Sequence, residues 1–108
     1  MKTINVFEMT GSFAENKDVA RNIRIAHILP IVNEQEVVTI DFSNVENATQ
    51  SFIHALISDV IRRKGVDVLD LLIFKGCNST VRTLIEIVTE YMQDGAELYK
   101  SKNGTSKK

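Results

Sequence analysis

The sequence has a single cysteine, Cys77, among its 108 residues, and no long apolar run. One cysteine excludes an internal disulfide framework, and no His or Cys residues stand at the spacings typical of a zinc site. No apolar segment approaches the roughly 18 residues that a membrane span requires, and the N-terminus lacks the charged-then-apolar pattern of a signal segment. We therefore expect a cytoplasmic protein without membrane segment, metal site or cofactor.

Basic residues are scarce in most of the chain and concentrated at its end. The formal net charge of -1 predicts no strong attraction to nucleic acid or to acidic lipid. Four of the 13 basic residues lie at positions 100–108, so the first 99 residues carry nine basic against all 14 acidic residues. Positions 100–108 also contain no apolar residue, and such a segment cannot offset the entropy of ordering. We expect one domain over residues 1–99, followed by a disordered basic tail.

The strongest pattern is a short apolar run followed by a helical period. Residues 37–42 are β-branched and apolar at most positions, as expected for a strand that is covered on both faces. Apolar residues then recur four positions apart, as in Phe52, Leu56 and Val60. The pattern predicts a buried, parallel strand followed by an amphipathic helix over residues 50–64.

Two further segments are predicted to be strands. Residues 3–9 alternate weakly between apolar and polar, and residues 68–74 are almost continuously apolar. A helical crossover joins residues 37–42 to residues 68–74, so these two strands should be parallel, central and adjacent or nearly so in one sheet. The order strand, helix, strand, helix, strand, helix indicates a small α/β domain. Its sheet should have about three or four strands, mostly parallel or mixed, with helices packed on it.

The first helix is predicted to lie between a cap at Asn16 or Asp18 and a stop at Pro30. Ser, Thr, Asp and Asn are preferred caps, and the residue before a proline is biased out of helical geometry. The apolar positions of this segment place Ala26 on the buried face and Arg24 on the opposite face, towards solvent.

Start and stop signals also bound the later helices. Gly65 follows the helix over residues 50–64 at a position where a left-handed conformation is commonly needed. Asn78 or Ser79 can cap the last helix, and Gly95 lies just past its expected end. We therefore predict that the last helix stops before Gly95.

Ser51 is the hydroxyl of greatest functional interest. It opens the predicted helix, where free backbone N–H groups and the positive end of the helix dipole would stabilise an added phosphate. The alternative is that Thr49, Gln50 or Ser51 only caps the helix, which is the common use of Ser and Thr in any protein. Spacing alone favours capping over modification.

Polar residues at the ends of two predicted strands form a second candidate site. Asp41, Lys75 and Gly76 would lie where open α/β sheets bind ligands. Asp41 could hold a metal or act as a base, but a lone carboxylate there more often accepts backbone N–H groups of the adjoining loop. No second carboxylate, His or Lys is placed to complete a reacting pair, so we expect no enzyme and name no catalytic residue. Cys77 should be buried as a small hydrophobe.

The central strand and helix carry two short motifs, Ile40-Asp41-Phe42-Ser43-Asn44-Val45 and Thr49-Gln50-Ser51-Phe52. Together they resemble the STAS superfamily, named for sulphate transporter and anti-sigma factor antagonist domains. The similarity is closer still to the STAS-like family of uncharacterised bacterial proteins, which typically shows an aliphatic-Asp-Phe-x-x-Val segment followed by a Ser-Phe pair that opens a helix. Asp18-Val19-Ala20-Arg21 also resembles that family's first helix. The resemblance thus extends over most of the chain.

This resemblance implies a regulatory role and a class of partner. In anti-sigma factor antagonists, a serine at the position of Ser51 is phosphorylated by the kinase that is also its binding partner, and the modification switches binding off. The usual surroundings of that serine are Asp-Ser-Ser-Gly or Asp-Ser-Thr-Gly, whereas this chain has Thr49-Gln50-Ser51-Phe52. Members of the STAS-like family often occur beside or fused to a histidine-kinase-type ATPase domain, so the resemblance implies such a partner.

Two hypotheses follow. The first is a non-enzymatic regulatory module that binds a protein, with no role for nucleic acid or membrane, through a surface made of Asn47, Thr49, Gln50, Ser51 and Phe52. The second is a small-ligand-binding domain or enzyme that uses Asp41, Ser51, Lys75 and Gly76 at the strand ends. The absence of a reacting pair favours the first. A closed pocket joining the strand-end residues would favour the second.

Overall fold

A computed structural model describes the backbone of residues 2–104 and the side chains of residues 2–93. The elements follow one another as β1 (Lys2–Asn5), α1 (Phe7–Thr10), β2 (Phe13–Ala14), α2 (Lys17–Ile23), α3 (Leu29–Asn33), β3 (Val38–Asp41), β4 (Asn47–Ala48), α4 (Gln50–Lys64), β5 (Leu72–Lys75) and α5 (Ser79–Gly104). A π-helical turn (Arg24–Ile28) joins α2 to α3, and a 3₁₀ helix (Val66–Leu71) joins α4 to β5. The chain is an α/β domain, as the sequence predicted.

The main sheet has three parallel strands in the order β1-β3-β5. Ile40 of β3 pairs with Ile4 of β1 on one side and with Phe74 of β5 on the other. Residues 38–40 of β3 are all buried, because this central strand has neighbours on both sides. The predicted parallel pairing of the second and third strands is confirmed. β5, however, lies at an edge of the sheet rather than at its centre.

Helix α4 forms the middle of the core. It begins at Gln50 and ends at Lys64, in agreement with the prediction, and Gly65 follows it with a φ of +88° that favours glycine. Helices α2 and α5 both pack against α4. The buried face of α4 is therefore wider than a single stripe. Its fully or almost fully buried apolar residues are Phe52, Ile53, Leu56, Ile57, Val60 and Ile61.

A second sheet consists of two very short parallel strands, β2 and β4. Phe13 lies opposite Asn47, and Ala14 lies opposite Ala48. Strands of two residues are too short to show an alternating pattern, so sequence periodicity does not reveal them. This pairing nevertheless fixes the segment that leads into α4.

The first strand is shorter than predicted, because the chain turns into helix α1 after Asn5. The side-chain oxygen of Asn5 accepts a hydrogen bond from the backbone N–H of Glu8 at 3.1 Å. Such a bond satisfies an amide at the start of a helix and competes with extension of the strand. The prediction of a strand over residues 3–9 is therefore wrong beyond Asn5.

The prediction that Pro30 ends the first helix is also wrong. The backbone N–H of Leu29 donates to the carbonyl oxygen of Arg24, an i to i+5 bond that closes the π turn, and Pro30 lies in the first turn of α3. Proline is tolerated there because no hydrogen bond is required of its nitrogen. The extra residue in the π turn shifts the helical register after Arg24, and Ala26 is exposed rather than buried. Arg24 lies one regular α-helical turn after the buried Ala20, to whose carbonyl oxygen its backbone N–H donates, and its side chain is only 13% exposed.

The third strand and the last helix differ from prediction at one end each. Residues 68–71 belong to the 3₁₀ helix rather than to β5, since a continuous apolar run does not distinguish a strand from a buried helical segment. Helix α5 continues through Gly95 to Gly104, because an interior glycine weakens a helix without ending it. Residues 100–104, expected as part of a disordered tail, thus continue α5, whereas residues 105–108 lie outside the described part, where disorder stays a prediction. Between residues 2 and 104, no helix has the length and apolarity of a membrane span.

Candidate functional site

The loop between β3 and α4 is held from one side by the segment around β2. The carbonyl oxygen of Ser12 accepts hydrogen bonds from the backbone N–H groups of Glu46 at 2.8 Å and of Asn47 at 3.1 Å. The backbone N–H of Thr49 donates to the carbonyl oxygen of Ala14 at 3.0 Å. These bonds fix the backbone that leads into α4 and present its polar side chains in one arrangement.

Asn78 holds the same loop from the other side. Its side-chain nitrogen donates to the carbonyl oxygen of Glu46 at 2.9 Å and, over a longer 3.4 Å, to that of Val45. Its side-chain oxygen accepts the backbone N–H of Val81 at 2.9 Å, so Asn78 is also the predicted cap of α5. One side chain therefore links the start of α5 to the loop before α4.

Helix α4 is capped by the side chain of Thr49, and the side chain of Ser51 takes no part in the cap. The side-chain oxygen of Thr49 accepts the backbone N–H of Phe52 at 3.0 Å. Ser51 is exposed, and its hydroxyl makes no hydrogen bond to any residue that the structure describes. Of the three capping candidates, Thr49 is the cap and Ser51 is not.

A shallow depression of about 350 Å³, wide open to solvent, borders Ser51. Lys17, the first residue of α2, also lines this depression. Helix α2 is capped by Asn16, as predicted. Ser51 thus lies at the start of α4 with a cationic side chain at the same depression. The residues that line it are Lys17, Gln50, Ser51, His54 and Ala55.

The exposure of the predicted interaction residues differs from one to the next. Asn47, Gln50 and Ser51 are exposed, and Thr49 is half-buried as the cap. Phe52 is 0% exposed, so its side chain cannot belong to a contact surface. Phe52 instead faces the core together with the other buried residues of α4, which corrects its assignment to the surface.

Asp41 binds the loop that follows it. One of its oxygens accepts the backbone N–H of Ser43 at 2.9 Å and the hydroxyl of Ser43 at 2.6 Å. These two bonds hold the pKa of the Asp41 carboxyl below its usual value, and the charge of Lys75, its partner across the strands, adds a smaller contribution. Asp41 therefore has the loop-stabilising role that a lone carboxylate at a strand end usually has.

Gly76 allows the two strand ends to approach closely. Its φ is +69°, and a Cβ added to it would lie 2.8 Å from the backbone nitrogen of Ser43 and 2.9 Å from the nearer carboxyl oxygen of Asp41. A side chain would therefore collide with the turn after β3. Asp41, Lys75 and Gly76 are brought together, as the second hypothesis required.

The depression that borders Ser51 does not extend to these strand-end residues. The depression beside Ser51 is lined by neither Asp41 nor Lys75.

Cys77 is half-buried, and burial raises the pKa of its thiol, which opposes formation of a reactive thiolate. Within the described chain, no group of three His, Cys, Asp or Glu residues is placed to hold a metal ion.

The exposed aromatic ring of Phe13 is a surface feature that sequence reasoning missed. Phe13 is 47% exposed and lies opposite Asn47 in the pairing of β2 with β4. The sequence did not predict this position of Phe13, since its pairing partner lies 34 positions away and the two strands have two residues each.

The arrangement is that of a small α/β domain with a polar, fixed surface at the start of its central helix. The family model described as STAS-like domain of unknown function (DUF4325) matches residues 20–82, more than half of the chain. The protein therefore belongs to this STAS-like family. No curated protein and no solved structure matches the chain.

Proposed function

We propose that this domain is a non-enzymatic regulatory module that binds a partner protein through the 47–51 surface, defined as Asn47, Thr49, Gln50 and Ser51. The observation that carries the proposal is the hydroxyl of Ser51, which is exposed and makes no hydrogen bond to a described residue because Thr49 caps the helix in its place. A partner can therefore reach Ser51 without any local unfolding.

The fixed backbone of this surface also supports a binding role. Ser12 and Ala14 hold the loop from one side, and Asn78 holds it from the other. A surface that is ordered before binding loses less conformational entropy when a partner docks.

The proposed partner is a histidine-kinase-type ATPase, and Ser51 is the proposed switch. A phosphate on Ser51 would lie at the N-terminal end of α4 and beside the depression to which Lys17 contributes, so the protein could accommodate its charge. A partner whose contact with Ser51 is desolvated would meet an unpaired charge and dissociate. The residues thus support a modification that changes binding while leaving the fold intact.

The alternative of a small-ligand site or enzyme has weaker support. Asp41 and Lys75 are adjacent, but they do not line the depression at Ser51. The carboxyl oxygen of Asp41 that binds Ser43 is engaged by two donors of the loop. A catalytic constellation would need a reacting group poised beside Asp41, and Ser43 instead closes a local turn.

An affinity pulldown from the native cell tests the proposal. We expect the wild type and Ser51→Ala to retain the same ATP-binding protein, and Ser51→Glu to lose it. Thr80→Glu is the matched control, since Thr80 is an exposed hydroxyl residue at the second position of α5, as Ser51 is of α4. Identical retention by all four chains would refute a contact at Ser51. Loss by Thr80→Glu as well would show a general effect of added charge.

A further inference from the structure

Phe13 places an aromatic ring beside the 47–51 surface. The pairing of β2 with β4 sets Phe13 opposite Asn47, and alternation along the strand buries Ala14 completely while leaving Phe13 47% exposed. The ring is thus presented outward from a backbone that two strands hold in place. Aromatic side chains in such positions are common anchors of protein interfaces, because they bury a large area with little loss of side-chain freedom.

A groove of about 260 Å³ is lined in part by this ring. Its apolar members are Phe13 together with the half-buried Met9 and Val19. Its remaining lining residues are Thr10, Glu15 and Asn16. The groove and Phe13 therefore extend the 47–51 surface with an apolar portion.

The segments that supply this apolar portion and the 47–51 surface carry mostly acidic residues. Residues 7–18 and 43–51 together contain four acidic residues and only one basic residue, Lys17. Each of the four acids is exposed, and none forms an ion pair with a residue that the structure describes. These acidic residues are Glu8, Glu15, Asp18 and Glu46. Glu15 lines the groove with Phe13, and the backbone N–H of Glu46 donates to the carbonyl oxygen of Ser12, the residue before Phe13, so a partner that covers Phe13 would meet these two carboxylates.

We infer that the partner covers Phe13 as well as the 47–51 surface, and that it offers an apolar pocket bordered by lysine or arginine. The inference rests on the proposed function and adds the chemistry of the partner. Charge complementarity is the reason for expecting a basic partner surface, because like charges across an interface suppress binding and opposite charges accelerate encounter. An acidic or neutral partner would leave the carboxylates of Glu15 and Glu46 unpaired at the rim.

Site-specific photo-crosslinking of the full chain in its native cell tests the inference. A benzoylphenylalanine is placed at position 13, at position 51, or at position 91 on α5, where Tyr91 is 65% exposed and serves as control. We expect positions 13 and 51 to capture the same protein, position 91 not to capture it, and the peptide joined to position 13 to be rich in lysine and arginine.

The other outcomes separate the inference from the proposed function. Capture from position 51 without capture from position 13 would overturn the inference and leave the proposed function standing. No capture from either would refute both. A peptide at position 13 that is acidic or neutral, or that comes from residues 100–108 of this chain or from a second copy of it, would overturn the inference.

Charge reversal gives an independent measurement with the same crosslinker at position 51. We expect Glu15→Lys combined with Glu46→Lys to lower the crosslink yield by about tenfold, because the rim charges would repel a basic partner. Glu86→Lys combined with Glu90→Lys is the control, since both are exposed on α5 and the change in net charge is the same. An unchanged yield in the first pair, or an equal fall in both pairs, would overturn the inference.

Discussion

Asn78 and Glu46, 32 residues apart in sequence, are joined by a hydrogen bond of 2.9 Å from the side-chain amide of Asn78 to the carbonyl oxygen of Glu46. The same side chain caps α5 through its oxygen, which accepts the backbone N–H of Val81. The two functions use different atoms of one amide. A substitution that preserves the oxygen and removes the nitrogen can therefore separate them.

Asn78→Asp should loosen the loop before α4 while keeping the cap of α5. An aspartate accepts the N–H of Val81 equally well, but its second oxygen would face the carbonyl oxygen of Glu46. We expect faster amide hydrogen exchange in residues 45–51 and a loss of roughly 0.5–1.5 kcal/mol in the free energy of unfolding. If amide hydrogen exchange became faster only in α5 and stayed unchanged in the loop, the bond to Glu46 would not be what holds the loop.

Gly76→Ala should destabilise the domain through the contact between the two strand ends. The φ of Gly76 is +69°, and an added Cβ would press on the backbone of Ser43. A positive φ alone costs about 1–3 kcal/mol for a residue with a side chain, and the collision adds to it. Gly11→Ala is the control, because the φ of Gly11 is +75° but nothing lies within 4 Å of its Cβ position. Urea unfolding should show a larger loss for Gly76→Ala, and equal losses would contradict the role of the contact.

The helix caps and the bounds of α4 show how far structure can be predicted from this sequence. The caps at Asn16 and Asn78 were predictable because capping depends on residues within one helical turn. The bounds of α4 were predictable because its apolar period is long and ends at Gly65. The bond from Asn78 to Glu46 was not predictable, since it depends on how distant segments meet in space.

The errors have equally specific causes. Phe52 was assigned to the surface because it follows Ser51 in the motif, although its apolar period with Leu56 and Val60 predicted the buried position that it takes. Arg24 was assigned to the face opposite the apolar residues, although it lies one regular helical turn after the buried Ala20, and its side chain donates to the carbonyl oxygen of Ala55 in α4 at 2.8 Å. Strands β2 and β4 have two residues each, and no periodic signal exists at that length.

Leu56→Ala should destabilise the domain strongly, because Leu56 is fully buried in the middle of α4. Removing a buried leucine side chain leaves a cavity and costs roughly 2–5 kcal/mol. Ile25→Ala provides the control, as Ile25 is 49% exposed in the π turn, and it should change stability much less. Chemical denaturation measures both. A cost below about 1 kcal/mol at Leu56 would contradict the packing of α4 on the sheet.

Acid should destabilise the wild type more than Ser43→Ala. The pKa of Asp41 is lowered in the folded protein by its bonds to Ser43, so this group contributes stability above the unfolded-state pKa of about 3.9, and the contribution is lost as pH falls through the folded-state value. Ser43→Ala removes the hydroxyl bond and thus part of that contribution. The pKa of Asp59 is also lowered, by Arg63 and its neighbours, but Asp59 is the same in both chains. Melting temperatures measured from pH 6 to pH 2 should converge as pH falls, and parallel curves would contradict the assignment.

Thr49→Ala and Ser51→Ala should differ in their effect on stability. Thr49 accepts the backbone N–H of Phe52 at 3.0 Å, so Thr49→Ala should cost about 1 kcal/mol of stability. Ser51 is exposed and does not cap the helix, so Ser51→Ala should leave the free energy of unfolding within about 0.5 kcal/mol of wild type. If the measured losses were reversed, Ser51 would be the cap and the argument that its hydroxyl is available to a partner would fail. The expected result leaves that hydroxyl with no role in the fold, so the loss of the partner expected for Ser51→Glu would report binding alone.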